Sequence, residues 1–184
     1  MTQDDVLAFW FAGDPSIYRK IWFQKDDAFD TRCAAFADTL AQAKQGTLDH
    51  WAATPRGALA LVILLDQFSR NLHRGTAEAF AADPKARAVA RAAIEARFDQ
   101  ALTPVERLFL YLPFEHAETL ADQDESVRLF ETLRSALSDD TIDYAHRHRD
   151  VIRRFGRFPH RNAVLARPNT PEEDAYLAEP GAGF

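Results

Sequence analysis

Residues 58–65 read ALALVILL, apolar on every side of any helix they form. A helix with no polar face has to be surrounded by other elements, so this stretch marks the centre of the fold. Thr54-Pro55 starts it, with a capping hydroxyl followed by a proline at the first helical position, where its missing N–H would be unpaired anyway. Thr103-Pro104 and Thr170-Pro171 repeat the signal, and a glutamate at the third helical position, Glu106 or Glu173, completes a capping box in each. Gly46 and Gly156 stand where helices stop, and Asp124 and Asp139 or Asp140 are further candidate caps. No stretch sustains the alternation of a strand between turn signals. The reading is all-α, with helices near 3–12, 26–45, 55–72, 76–82, 84–98, 104–121, 125–137, 141–156 and 171–178. Their short connections imply antiparallel helical hairpins.

The chain has 184 residues, 47% of them hydrophobic, enough to bury one sizeable core. No linker or low-complexity segment interrupts it, so residues 1–184 are expected to form a single domain. A net charge of -6 gives no general attraction to nucleic acid or anionic lipid. The single cysteine, Cys33, excludes an internal disulfide and, among Phe29, Ala34 and Phe36, reads as a core residue. Asp4 and Asp5 stand where a signal peptide would be basic, and the longest apolar run, Ala58 to Leu65, is far short of the ~18 residues a membrane span needs. The expectation is a soluble, cytoplasmic protein without a membrane partner.

Polar side chains on apolar helix faces mark where chemistry would sit. After residue 65 the central helix turns abruptly polar, and Asp66 and Arg70, four residues apart, share one face at the edge of the core. Such half-buried charges need partners. Helix 104–121 carries Pro113 in its middle, followed by Glu115, His116, Glu118 and Asp122. On a regular helix Glu115, Glu118 and Asp122 line one face, while His116 points about 100° away from Glu115. That geometry, and the lack of a Glu-x-x-His spacing, speak against a metal site. No metal and no cofactor are expected.

In helix 141–156, Tyr144, His148, Val151, Ile152 and Phe155 form an apolar stripe that includes His148, while His146 lies outside with Asp150 and Arg153 and reads as solvated. A histidine in such a stripe is either a satisfied core residue or a proton-transfer group with a tuned pKa. Residues 146–167 carry seven arginines and one aspartate, a local balance of +6; the other residues hold 15 basic and 27 acidic side chains, a balance of -12. The arginines either dock on the acidic face of Glu115, Glu118 and Asp122 or hold an external anion. The loop Arg157-Phe158-Pro159-His160-Arg161-Asn162 leaves that helix end rich in donors.

The segments LLDQFSRNLHRG (64–75), AFAADPKA (79–86), LFLYLPFEHAETLADQDESVRLF (108–130), AHRHRDVIRRFGRFPHRN (145–162) and TPEEDAYL (170–177), together with VLAFWF (6–11) and WFQKDDAFD (22–30), resemble the bacterial domain-of-unknown-function family 924 over nearly the whole chain. The resemblance implies a TPR-like, right-handed helical arrangement and brings no activity. His73 stands where the family pattern commonly has tyrosine, and reads as peripheral.

Two functions compete. One is a small-molecule site for an anionic metabolite, with His148, Glu115 and His116 as acid–base groups and Asp66, Arg70, Glu118, Arg157, His160, Arg161 and Asn162 as ligand-binding residues. The other is a peptide- or protein-interaction module in which the polar cluster is structural and the tail from Ala178 to Phe184 is a self-docking or partner segment. RNA binding through the arginine segment, with Phe155 and Phe158 stacking on bases, is disfavoured by the acidic remainder. No Ser-His-Asp elbow, phosphate loop or zinc signature is present, so the reaction class stays open.

Overall fold

A computed structural model describes residues 1–183. The last residue of the proposed docking tail, Phe184, lies outside the described residues. Every regular element among them is helical. The chain divides into two compact units, Met1–Arg74 with Glu78–Pro113 and Gly75–Ala77 with Phe114–Phe184.

Unit 1 holds α1 (Gln3–Phe11), α2 (Asp27–Cys33), α3 (Ala37–Gln45), α4 (Pro55–Ile63), α5 (Ser69–Leu72), α6 (Asp83–Glu95) and α7 (Pro104–Glu115) up to Pro113. Thr54 caps α4 through the Gly57 N–H, and the residues from Ala58 to Ile63 are inaccessible to solvent. Helices α1 and α6 and a 3-10 turn at Asp49–Ala53 surround α4, as its apolar circumference demands. Trp10, Trp22, Phe68 and Phe109 build an aromatic core with edge contacts such as Trp22–Phe109 at 4.8 Å. The Trp22 indole N–H donates to the Trp10 carbonyl at 2.9 Å. Cys33 is fully buried, and burial pushes its thiol up to about 12.

Long helices read from the sequence are broken in the structure. Residues 26–45 are two helices separated by a 3-10 turn at Ala34–Phe36. The stretch 55–72 widens into a π-helical segment at Leu64–Phe68 before α5. The Asp66 carbonyl there accepts from the Arg70 guanidinium at 2.8 Å, so a side chain completes the altered ladder. The expected helix at 76–82 is only a 3-10 turn, Ala77–Phe80.

Unit 2 holds the end of α7, then α8 (Leu120–Glu131), α9 (Asp139–Phe155) and α10 (Pro171–Leu177). The helix expected over 104–121 stops at Glu115, and α8 begins at a cap on Thr119 rather than Asp124. Thr119 accepts the Asp122 N–H and donates its hydroxyl to the Asp122 carboxylate at 2.7 Å. The carbonyls freed where α7 ends are taken by one amide. Gln123, fully buried, donates from Nε2 to Glu115 and Ala117 at 2.7 Å each. Glu115, Glu118 and Asp122 therefore do not form a face of one helix.

Replacing Gln123 with leucine keeps the volume and leaves those buried carbonyls without their donor. The expected loss is about 2 kcal/mol of unit 2 stability, read as a lowered urea midpoint by circular dichroism. A midpoint within about 0.5 kcal/mol of the parent protein would show that the break after Glu115 does not depend on this amide.

Candidate functional site

Helix α9 is amphipathic with Ile142, Ala145, His148, Val151 and Ile152 on its buried side. Ser138 caps its start and Gly156, in the left-handed conformation, ends it. The periodicity that puts Val151 and Ile152 against Phe158 also buries His148, which is 5% exposed. Tyr144, assigned to the same stripe, is an exposed residue with Arg147 over its ring.

His148 Nδ1 lies 2.8 Å from the Tyr144 carbonyl, which can only accept. The proton is therefore on Nδ1, and Nε2 is the basic nitrogen of the ring. Glu115 Oε1 sits 3.4 Å from the same Nδ1. The His116 ring lies 6.4 Å away, centroid to centroid, and the Phe158 ring meets the imidazole edge-on at 5.5 Å. Burial drives the His148 pKa well below 6.5; the Tyr144 carbonyl opposes this, and the positive surroundings of His116, Arg161 and His160 add to it. His160, its ring 5.5 Å from that of Phe158, is lowered to about 4 by burial and by Arg161. Both imidazoles are neutral at pH 7.

A second layer ties the loop after α9 to the end of α7. Arg161 is buried, donates to the His116 carbonyl at 3.0 Å and stacks on Phe158 at 4.4 Å. Glu118 accepts the Phe158 N–H at 2.8 Å and a fork from Arg167 at 2.6 and 2.9 Å. Burial raises the Glu118 pKa, but the Arg167 and Phe158 hydrogen bonds and the charges of Arg167 and Arg161 outweigh it, and the carboxyl titrates below its usual value.

The other site residues read from the sequence have different surroundings. Asp66 and Arg70 belong to unit 1, where Arg70 bridges Asp66 at 3.1 Å and Asp83 through two contacts of 2.9 Å. Arg157 grips Glu173, the carboxylate that caps α10, at 2.7 and 2.8 Å. Asn162 is buried between Asn169 and Arg167 and pins the loop. His146, expected to be solvated, is half-buried and bonded to Glu131 at 2.8 Å, because α8 lies along that side of α9.

The arginines do dock internally, though mostly on other acids than the expected Glu115, Glu118 and Asp122. Arg149 and Arg153 face Asp124, Arg147 faces Asp140, and Arg154 pairs with Glu172. Among the described residues no three His, Cys, Asp or Glu side chains converge as a metal ion would require. The Glu118–Arg167 fork is one case in which an arginine of 146–167 does dock on the expected acids, whereas nothing in the sequence pattern singles out Gln123 or the Tyr144 carbonyl. Arg167 was visible only as one of seven arginines.

The stretch that builds this cluster lies inside residues 6–181, which match the bacterial protein of unknown function family DUF924. The chain belongs to the DUF924 family. The solved structure of a protein of unknown function from Agrobacterium tumefaciens is 43% identical to this DUF924 chain, with 96% of each chain covered and a TM-score of 0.87. Comparison with curated proteins finds no match. Among the described residues of this DUF924 protein, no helix is long and apolar enough to cross a membrane.

Proposed function

We propose that unit 2 binds a small anionic metabolite at the His148–Arg161 cluster, with His148 Nε2 as the acid–base group. The observation that carries this reading is a buried imidazole whose tautomer is fixed by the Tyr144 carbonyl and which is kept neutral by burial first and by the neighbouring positive charge of Arg161 second. An anion placed between Arg161 and His148 would relieve that positive potential and raise the imidazole pKa into the range where it can exchange protons at neutral pH. Glu115, on the Nδ1 side, would stabilise the imidazolium once formed. His116 beside His148 and His160 beside Phe158 add further imidazole groups to the cluster.

A second reading is a peptide-interaction module on a TPR-like scaffold. It is favoured by the carboxylate partners that most arginines of 146–167 find within the chain, since these make the cluster a structural brace. The same pairs disfavour nucleic acid, which would need an outer basic face free of acids.

Proton NMR of the histidine C2–H signals during titration with inorganic phosphate and with malonate separates the two. The anion site predicts saturable shifts of His148 and His160 and a raised His148 pKa. Arg161→Gln should weaken the effect about tenfold, the size of one lost charge-assisted contact, with an unchanged circular dichroism spectrum. Unmoved signals with both anions, or equal shifts in Arg161→Gln, would leave the interaction module as the better reading.

A further inference from the structure

Unit 1 contains a half-open cavity of about 320 Å³ with no part in the His148 cluster. Its floor is apolar: Leu7 and Phe11 of α1 are almost fully buried beneath it, and Pro15 forms a wall. Its polar groups are Asp4, Arg56 and Glu106. Glu106 differs from the other two because it is 3% exposed. One of its oxygens, Oε2, accepts the Thr103 N–H at 2.8 Å as the capping box of α7, while Oε1 makes no hydrogen bond among the described residues and lies 3.7 Å from Arg56. The Thr103 hydroxyl donates to the Pro15 carbonyl at 2.8 Å, so one residue holds both the wall and the carboxylate in place.

We propose that this cavity binds a small monocationic amphiphile, a primary alkyl- or arylalkylamine, with its ammonium on Glu106 Oε1 and its hydrocarbon on Leu7 and Phe11. The volume is at the lower end of the ~300–1,000 Å³ of small-molecule sites and suits a body of about six to ten heavy atoms. Charge decides the sign of the ligand. Two carboxylates face one guanidinium in the lining, so an anion would meet net repulsion and a cation net attraction. Arg56 does not close the site. Its guanidinium is 3.8 Å from Asp4 and 3.7 Å from Glu106, both beyond hydrogen-bond length, and its side chain is 55% exposed. Such a loose surface pair is readily exchanged for an amine that donates directly to Oε1. The apolar floor then selects against fully hydrophilic amines.

Titration of the whole protein with hexylamine, hexanoate and hexanol, followed by amide shifts of Leu7 and Phe11, tests the assignment. Hexylamine is expected to bind saturably at these amides and hexanoate not to bind. Glu106→Gln keeps a capping acceptor while removing the charge, so it should weaken hexylamine at least tenfold. Arg56→Ala, which removes the competing cation, should tighten hexylamine several-fold. If Glu106→Gln destabilises the fold, Ala8→Trp provides the independent check. Ala8 is an exposed residue of α1 in the cavity lining, so the indole fills the space and should abolish binding without touching the α7 cap. Hexanoate or hexanol binding as tightly as hexylamine, or hexylamine binding unchanged in Glu106→Gln and Ala8→Trp, would overturn the proposal.

Discussion

Replacing Arg70 with methionine is expected to destabilise unit 1 by about 3 kcal/mol, the cost of removing one partner from a buried ionic network. The guanidinium does three things at once. It bridges the carboxylates of Asp66, which is 1% exposed, and Asp83, and it closes the Asp66 carbonyl at the π-helical segment. Methionine matches the stem but supplies none of these donors, and the buried carboxylates lose the cation between them. The chain's three tryptophans, Trp10, Trp22 and Trp51, all lie in unit 1, so their fluorescence during urea unfolding reports on this unit. Arg70→Lys should recover only part of the loss, because an ammonium cannot make the two-pronged contact with Asp83. Adding Asp83→Asn to Arg70→Met should also recover part of it, because it removes one of the two carboxylate charges that the guanidinium bridged. An Arg70→Met midpoint within about 0.5 kcal/mol of the parent would mean that the network adds specificity and no net stability.

How much of this could be read from the sequence follows from which physics is local. Helix starts were legible because Thr54, Thr103 and Thr170 act on donors three residues away, and Glu106 and Glu173 act back on the same caps. The central position of α4 was legible because no polar residue interrupts 58–65. Helix ends inside long apolar stretches were not. The stop after Glu115 is held by Gln123, eight residues on, and the widening at Leu64–Phe68 is completed by a guanidinium. Neither follows from propensity.

The same division holds among the candidate site residues. The inward turn of His148 follows from its place in a helical stripe. The arginine partners do not, because Arg157 reaches Glu173 across 16 residues and Arg167 reaches Glu118 across 49. Only the course of the backbone decides those pairs. The cavity over Leu7 and Phe11 was equally out of reach, since α1, α4 and α7 contribute residues from three distant stretches.

Unit 2 should lose stability as pH falls from 6.5 towards 4, earlier than carboxylate protonation alone would allow. His160 titrates at about 4 in the folded chain against 6.5 unfolded, and His148 also lies well below 6.5. Between these values the unfolded chain binds more protons than the folded one, so stability rises with pH across the window and falls on acidification. The carboxyls paired with arginine or histidine in the same unit, Glu118, Glu131 and Glu173, sit below 4.5, with Glu131 and Glu173 at about 2. Their contribution is present above 4.5 and is lost only below it, so the histidines dominate the upper part of the window. At about 1.4 kcal/mol per pKa unit, His160 alone accounts for a loss on the order of 2–3 kcal/mol by pH 4 once its partial exposure is allowed for. Urea midpoints by circular dichroism at half-unit pH steps measure this directly. His160→Gln should flatten the slope, and adding His148→Gln, whose amide can still donate to the Tyr144 carbonyl, should flatten it further. A C2–H signal of His148 titrating near 6.5 in the free protein, or a flat profile from 6.5 to 4.5, would remove the basis for the buried neutral imidazole. Saturating phosphate or malonate provides the link to function. A bound anion favours the imidazolium, so it should raise the His148 pKa and shallow the same slope, whereas a purely structural histidine would keep its profile whatever anion is added.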